Sequence, residues 1–118
     1  MTARQINKFR LLLEAKQAEL LNRMRSMRDC LAISEPGDAL DRVRIINERE
    51  SAARDLAFET RLLQGVQEAL RQIRVGTFGR CAACYGEIPL RRLQAVPWSP
   101  YCVQCQQGTE RRVYAHAG

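Results

Sequence analysis

The chain has 118 residues, of which 27% are charged and 46% hydrophobic, and its formal net charge is +6. That length suits one ordinary domain, or a small domain with an added element, and the composition is too apolar for a wholly disordered chain. No apolar run approaches the roughly 18 residues that cross a bilayer, and basic residues interrupt any signal-peptide core. We therefore expect a cytoplasmic protein that does not associate with a membrane.

The charge is distributed unevenly along the chain. Seventeen of the 19 basic side chains are arginines, which alone would favour a nucleic-acid binder, because arginine suits bidentate contacts with phosphate. Residues 35–50, however, have five acidic and three basic side chains, a net charge of −2. This acidic segment contains the turn signal Pro36-Gly37 and lies between two basic segments. It is either an ordinary solvated loop or a functional acidic turn.

Residues 2–31 are predicted to form one long amphipathic helix. Thr2 and Gln5 fit a capping box at its start, and Pro36-Gly37 ends it. Its apolar residues recur mostly at spacings of three, four and seven, which is typical of a coiled coil. They are Ile6, Phe9, Leu13, Leu20, Met24, Met27 and Leu31, with Leu12 and Leu21 broadening the stripe.

A second helix is predicted from about Asp38 to Val75, with Asp38 as its N-cap and Gly76 as its stop. Because the connection is short, the two helices should be antiparallel neighbours. Gly65 is either a kink or close-packing point near the base of this hairpin, or a tolerated surface glycine. The predicted apolar stripe comprises Leu40, Val43, Ile46, Ala53, Leu56, Thr60, Leu63, Val66, Leu70 and Ile73.

Four of the five cysteines form two Cys-x-x-Cys pairs separated by 17 residues. Each pair lets two thiolates of one turn reach a single ion, and two pairs complete the tetrahedral Cys₄ shell of structural Zn²⁺. Redox dithiols are an alternative without the expected βαβ context, and disulfides are disfavoured in a reducing compartment. Cys30 is expected to be a small apolar residue of the first helix. The predicted ligands of one structural zinc ion are Cys81, Cys84, Cys102 and Cys105.

The predicted fold is mainly α: a long antiparallel two-helix coiled-coil hairpin joined to a small Cys₄ zinc-finger module with a C-terminal helix. Residues 1–75 form the hairpin, with its tip near residues 33–42, and residues 76–118 form the module. We do not expect an enzyme. The only histidine, His116, has no carboxylate or nucleophile near it in sequence, and no glycine-rich phosphate loop follows a predicted strand.

Two further motifs identify a family. Residues 76–86 read Gly-Thr-Phe-Gly-Arg-Cys-Ala-Ala-Cys-Tyr-Gly and are followed by Ile88-Pro-Leu-Arg-Arg-Leu and by a proline before the second cysteine pair. Upstream, residues 38–43 read Asp-Ala-Leu-Asp-Arg-Val. The first pattern resembles the zinc finger of the DksA/TraR family of transcription factors, and the second resembles the Asp-x-x-Asp-x-Ala motif at the tip of their helical hairpin.

The resemblance implies a regulator of bacterial RNA polymerase that acts without binding DNA. Such proteins insert the hairpin into the secondary channel of the polymerase as monomers, and the acidic tip changes the stability of promoter complexes. By this match Asp38, Asp41 and Val43 would form the effector tip, and Arg91 and Arg92 would be possible polymerase contacts. The alternative for the aspartates is helix capping, and for the arginines a solvated basic pair.

The sequence departs from the family pattern in three places. Val43 stands where the tip motif has alanine, and Tyr85 stands where a glycine usually follows the second cysteine, with Gly86 displaced by one. Family members that respond to ppGpp have basic residues at the positions of Val96 and Gln106. Without cationic groups there, a polyphosphate loses its main attraction, so a ppGpp response is doubtful.

The sequence is compatible with two other functions. A GATA-like zinc finger that binds DNA is one, although only Arg111 and Arg112 supply a basic tail after the finger. A structural coiled-coil adaptor that forms a homodimer is the other.

Overall fold

The computed structural model describes residues 1–32 and 39–108, without the side chains of residues 30–32, 39 and 40. Its helices are α1 (Ala3–Ala32), α2 (Ala39–Val75) and α3 (Leu90–Ala95), and residues 103–108 are also helical. The β-pairing in this part of the chain is one antiparallel bridge between Arg80 and Glu87. The mainly α fold is therefore confirmed. No helix within the described ranges is long and apolar enough to cross a membrane.

Helix α1 begins with the predicted capping box. The backbone N–H of Gln5 donates to Thr2 Oγ1 over 3.2 Å, and the N–H of Thr2 donates to Gln5 Oε1 over 2.9 Å. The expectation that Leu12 and Leu21 broaden the apolar stripe is wrong, because these side chains are 54% and 42% exposed. Each is the sequence neighbour of a buried residue, Leu13 or Leu20, and is turned about 100° away from it around the helix. Phe9, Leu13, Leu20 and Met24 are buried as predicted, and Ile6 and Met27 are half-buried.

The chain divides into two compact units. One contains Met1–Glu14 and the chain from Gly65 onward, and the other contains Ala15–Gln64. Each unit combines a segment of α1 with a segment of α2. Because the beginning of α1 belongs with the end of α2, the two helices are antiparallel, as predicted.

In the unit of Ala15–Gln64, the inward-facing positions of α2 differ from the prediction. Val43, Ile46 and Ala53 are exposed instead of buried. Arg23 of α1 contacts Glu59 of α2; at an equal rise of about 1.5 Å per residue, the last described residue of α1 lies opposite about residue 50 of α2. The first turns of α2 therefore extend past the described part of α1. Beyond them the covered positions follow a heptad spacing: Ala52, Leu56, Glu59 and Leu63.

The other unit has a core built around the cysteine-containing segment. Phe9, Cys81, Ile88 and Leu93 form a buried cluster. The rings of Phe9 and Phe78 pack in a tilted arrangement with centroids 5.5 Å apart, so the first helix is attached directly to the module. The predictions for Asp38 and His116 lie outside the described residues, and those for Cys30, Leu31 and Leu40 concern side chains outside the described part.

Candidate metal centre

The two Cys-x-x-Cys pairs converge. The sulfur atoms of Cys81, Cys84, Cys102 and Cys105 all lie within 4.8 Å of one another, and the Sγ atoms of Cys84 and Cys102 are 3.9 Å apart. With Zn–S bonds of about 2.3 Å, a tetrahedral site places its sulfurs roughly 3.8 Å apart. The donor set and its spacing therefore fit a zinc ion.

Backbone hydrogen bonds shape the first pair into a tight turn. The N–H of Cys81 donates to the carbonyl of Gly86 over 2.8 Å, and the N–H of Tyr85 donates to the carbonyl of Cys81 over 3.0 Å. The N–H of Ile88 donates to Gly79 over 2.7 Å and closes the base of this loop. These bonds turn the chain back on itself, so that both thiols of the pair face one point.

The second pair is attached to the first and braced by an arginine. The N–H of Ala82 donates to the carbonyl of Pro100 over 2.8 Å, which joins the two turns. Nε of Arg92 lies 3.2 Å from Ser99 Oγ and 3.0 Å from the carbonyl oxygen of Tyr101, and the Ser99 hydroxyl donates to that carbonyl over 2.9 Å. Arg92 thus fixes the segment that leads into Cys102.

The thiols of the site differ in how readily they ionise. Burial opposes ionisation of Cys81, which is 1% exposed, but hydrogen bonds from the backbone N–H groups of Cys84 and Cys102 lower its pKa to about 6. Hydrogen bonds with neighbouring sulfurs, first that of Cys102, raise the pKa of Cys105 to about 12. At neutral pH the metal-free site therefore has a thiolate at Cys81 and a proton on Cys105, which a divalent cation would replace.

Four thiolates complete a zinc shell, so a bound ion would have no open position for water or substrate. Its role is then to hold together the two cysteine-containing turns, which are otherwise connected by the short helix α3 and a small buried cluster. This donor set is therefore suited to stabilising the fold and not to catalysis.

The structure separates the two arginines that the sequence grouped together. Arg91 is exposed, whereas Arg92 is half-buried and makes the internal hydrogen bonds described above. Sequence reasoning missed this bracing role and the partner Ser99, because an Arg-Arg pair has the same pattern whether it is solvated or internal.

Two of the three predicted tip residues lie within the described chain. Asp41, in the first turn of α2, is half-buried and has an oxygen 3.6 Å from Nη2 of Arg44. Val43 is 58% exposed.

Comparison with known proteins agrees with this architecture. Residues 76–111 match the model of the prokaryotic dksA/traR C4-type zinc finger. The four converging cysteines are therefore a structural zinc site, as the sequence predicted.

The similarity to known proteins extends beyond the zinc module. The chain is 33% identical over 81 residues to the RNA polymerase-binding transcription factor DksA of Buchnera aphidicola, a match covering 69% of this chain and 54% of that protein. The chain thus spans about half the length of this relative.

Two solved structures share the fold. Transcription factor DksA2 from Pseudomonas aeruginosa matches with a TM-score of 0.79 and 30% identity, covering 97% of this chain and 89% of that one. The RNA polymerase binding protein and transcriptional regulator Dks from Chlamydia trachomatis matches with a TM-score of 0.62 and 22% identity over 96% and 95% of the two chains, which supports the fold alone.

Proposed function

Because the chain belongs to the DksA/TraR family, we propose that it binds bacterial RNA polymerase and regulates transcription initiation. In this proposal the helical hairpin enters the secondary channel of the polymerase, and the acidic tip changes the stability of promoter complexes. The observation that supports it most is the match to DksA2 over 97% of the chain at 30% identity. A relative named as RNA polymerase-binding supports the choice of partner.

The tip acts through its carboxylates. Asp38 and Asp41 lie in the acidic segment of residues 35–50, and a carboxylate near the catalytic centre of a polymerase would interact with the metal ions and basic groups that hold nucleic acid there. Val43 is exposed close by and replaces the smaller alanine of the family motif, so it adds bulk at the tip.

The zinc module provides a rigid docking surface in this proposal. The Cys₄ site has no catalytic position, and the protein works as a cytoplasmic binding factor and not as an enzyme. Arg91 is the arginine with an exposed side chain for a polymerase contact, since Arg92 is engaged internally.

Three further properties follow from the same proposal. The protein acts as a monomer, because a narrow channel admits one hairpin, and it does not bind DNA directly. Its response to ppGpp through the module is weak or absent, because Val96 and Gln106, both half-buried, replace the basic residues of responsive relatives.

A purified transcription system tests the proposal. The wild-type protein should bind RNA polymerase and alter initiation at a ribosomal RNA promoter. The double variant Asp38→Asn and Asp41→Asn should bind equally well and lose the effect. Asp55→Asn, the same chemical change at an exposed position of α2, should regulate like wild type. Absence of polymerase binding would refute the proposed function, and normal regulation by the double variant would refute the role of the tip.

Channel entry has its own test. A photo-crosslinking residue at Val43 should label polymerase segments inside the secondary channel, whereas one at Val75, which is also 58% exposed, should not.

The alternative function, DNA binding, is tested by measuring the affinity for duplex DNA at several salt concentrations, because a DNA binder shows a steep salt dependence from counterion release. A steep slope with specific affinity would favour a DNA-binding finger instead.

A further inference from the structure

Tyr85 combines an unusual backbone conformation with a solvent-exposed side chain, and the fold does not explain this combination. Among the described residues it is the one non-glycine residue with a positive φ, 60°. Its side chain is 81% exposed, more than any other large hydrophobic side chain described. It directly follows the zinc ligand Cys84, and its N–H closes the turn to Cys81.

A left-handed backbone is unfavourable for a residue with a bulky side chain, because the Cβ atom crowds the following carbonyl. Glycine would occupy this position without that cost, and the neighbouring Gly86 does not adopt a positive φ and so does not relieve it. Packing does not compensate either, since most of the ring is in solvent. The side chain therefore destabilises the turn and receives no compensation within the described fold.

Unfavourable backbone conformations that persist are concentrated at functional positions. The turn that presents Tyr85 is fixed by its hydrogen bond to Cys81, so the backbone from which the ring projects is set before any partner binds. A tyrosine has two χ angles and loses little conformational entropy on docking, and tyrosine is among the residues that dominate binding energy at interfaces.

A second exposed apolar side chain adjoins the same ligands. Val103 follows Cys102 and is 45% exposed, and the sulfurs of Cys84 and Cys102 are 3.9 Å apart. We call the exposed residues that directly follow these two ligands, Tyr85 and Val103, the knuckle surface.

We propose that Tyr85 is an anchor residue with which the knuckle surface docks on RNA polymerase, its ring entering an apolar recess of the polymerase. This inference rests on the proposed function, and it assigns the zinc module a contact that differs from the acidic tip.

The test uses the full chain, zinc-loaded, with purified RNA polymerase. Tyr85→Gly removes the ring and the backbone strain together, so it should keep one zinc ion, unfold at the same or a higher temperature, and bind polymerase about tenfold more weakly or worse. Tyr85→Phe, which keeps the ring, should bind like wild type. Leu11→Ala, which removes another exposed apolar side chain of the same unit, should also bind like wild type.

Three results would overturn the inference. The first is wild-type affinity of Tyr85→Gly for the polymerase. The second is a lower unfolding temperature or zinc content in Tyr85→Gly, which would make the ring a structural element. The third is self-association of the wild-type chain that Tyr85→Gly abolishes, which would make the occupant a second copy. A wild-type protein that does not bind polymerase at all would instead refute the proposed function.

Discussion

Arg23 on α1 and Glu59 on α2 form an ion pair between the two helices, with Nη1 2.9 Å from Oε1. Glu59 is 7% exposed and occupies a heptad position between Leu56 and Leu63, where an apolar residue is expected. Its second oxygen, Oε2, is buried without a hydrogen bond to any described residue. The carboxylate raises the pKa of Arg23 through the hydrogen bond and its charge. A buried carboxylate with one unsatisfied oxygen is costly for the fold.

Glu59→Leu should therefore stabilise the protein. Replacing a buried ionic group with a well-packed apolar one often gains stability, here about 1 kcal/mol or more. Arg23→Met should do the opposite, because it leaves the Glu59 carboxylate buried without a cation. Urea unfolding followed by circular dichroism measures both changes. Glu19→Gln, at the exposed partner of Arg23, is the control and should change stability little. Equal destabilisation by Glu59→Leu and Arg23→Met would show that the pair stabilises the fold.

Leu12 and Leu13 should lose very different amounts of stability on the same truncation to alanine. Leu13 is fully buried and Leu12 is 54% exposed. Leu13→Ala should cost about 2–5 kcal/mol, because it removes packed atoms and leaves a cavity. Leu12→Ala should change the free energy of unfolding by about 0.5 kcal/mol or less. Chemical denaturation of the two variants compares them directly, and similar losses would contradict the described orientation of α1.

These two residue pairs show how far the sequence specifies the fold. The capping box at Thr2, the end of α2 at Gly76 and the four zinc ligands depend on local chemistry and were predictable. Which side chains of the first turns of α2 are covered could not be predicted, because Ile45 and Ile46, or Ala52 and Ala53, fit a helical period equally well. The covered positions depend on which part of α2 lies beside α1, and that is a tertiary property.

The charged residues that the fold buries could not be predicted from the sequence either. Hydrophobic periodicity treats Glu59 as a surface residue, and only the presence of Arg23 across the hairpin makes its burial tolerable. Likewise, nothing in the Arg-Arg dipeptide distinguishes Arg92, which braces the second cysteine turn, from the exposed Arg91.

Loss of one zinc ligand should unfold the module and leave most of the helix content. Cys81→Ser removes a ligand that is also part of the buried cluster, and structural zinc contributes roughly 10–16 kcal/mol of binding free energy in small modules. Because α1 and α2 contain 30 and 37 residues, the far-ultraviolet helical signal should persist. Metal analysis should find no zinc in Cys81→Ser and one ion per chain in Cys30→Ser, since Cys30 is outside both pairs. Retention of zinc by Cys81→Ser would contradict the assigned ligands.

Zinc affinity should decrease as the pH falls. Binding to the metal-free protein must displace the proton of Cys105, whose pKa is raised to about 12, and each displaced proton weakens apparent affinity about tenfold per pH unit. Cys81 has a pKa lowered to about 6, so it adds a further proton to this dependence only below that pH. Competition with a metal-binding dye between about pH 5 and about pH 8 should show a steeper slope at the acidic end. An affinity independent of pH would contradict this protonation pattern.

Substitution by alanine should change stability in opposite directions at Gly65, within α2, and at Gly76, directly after α2. A Cβ atom at Gly65 would lie 3.8 Å from the carbonyl oxygen of Trp98 and 4.0 Å from its Cβ, which is ordinary van der Waals contact. Gly65→Ala should therefore stabilise the protein by about 0.5–1 kcal/mol, because alanine favours the helix more than glycine does. Gly76 has a φ of +82° and open space around it, so Gly76→Ala should destabilise by about 1 kcal/mol through backbone strain alone. Thermal unfolding distinguishes the two, and a loss of stability in Gly65→Ala would mean that α2 and Trp98 pack more closely than these distances allow.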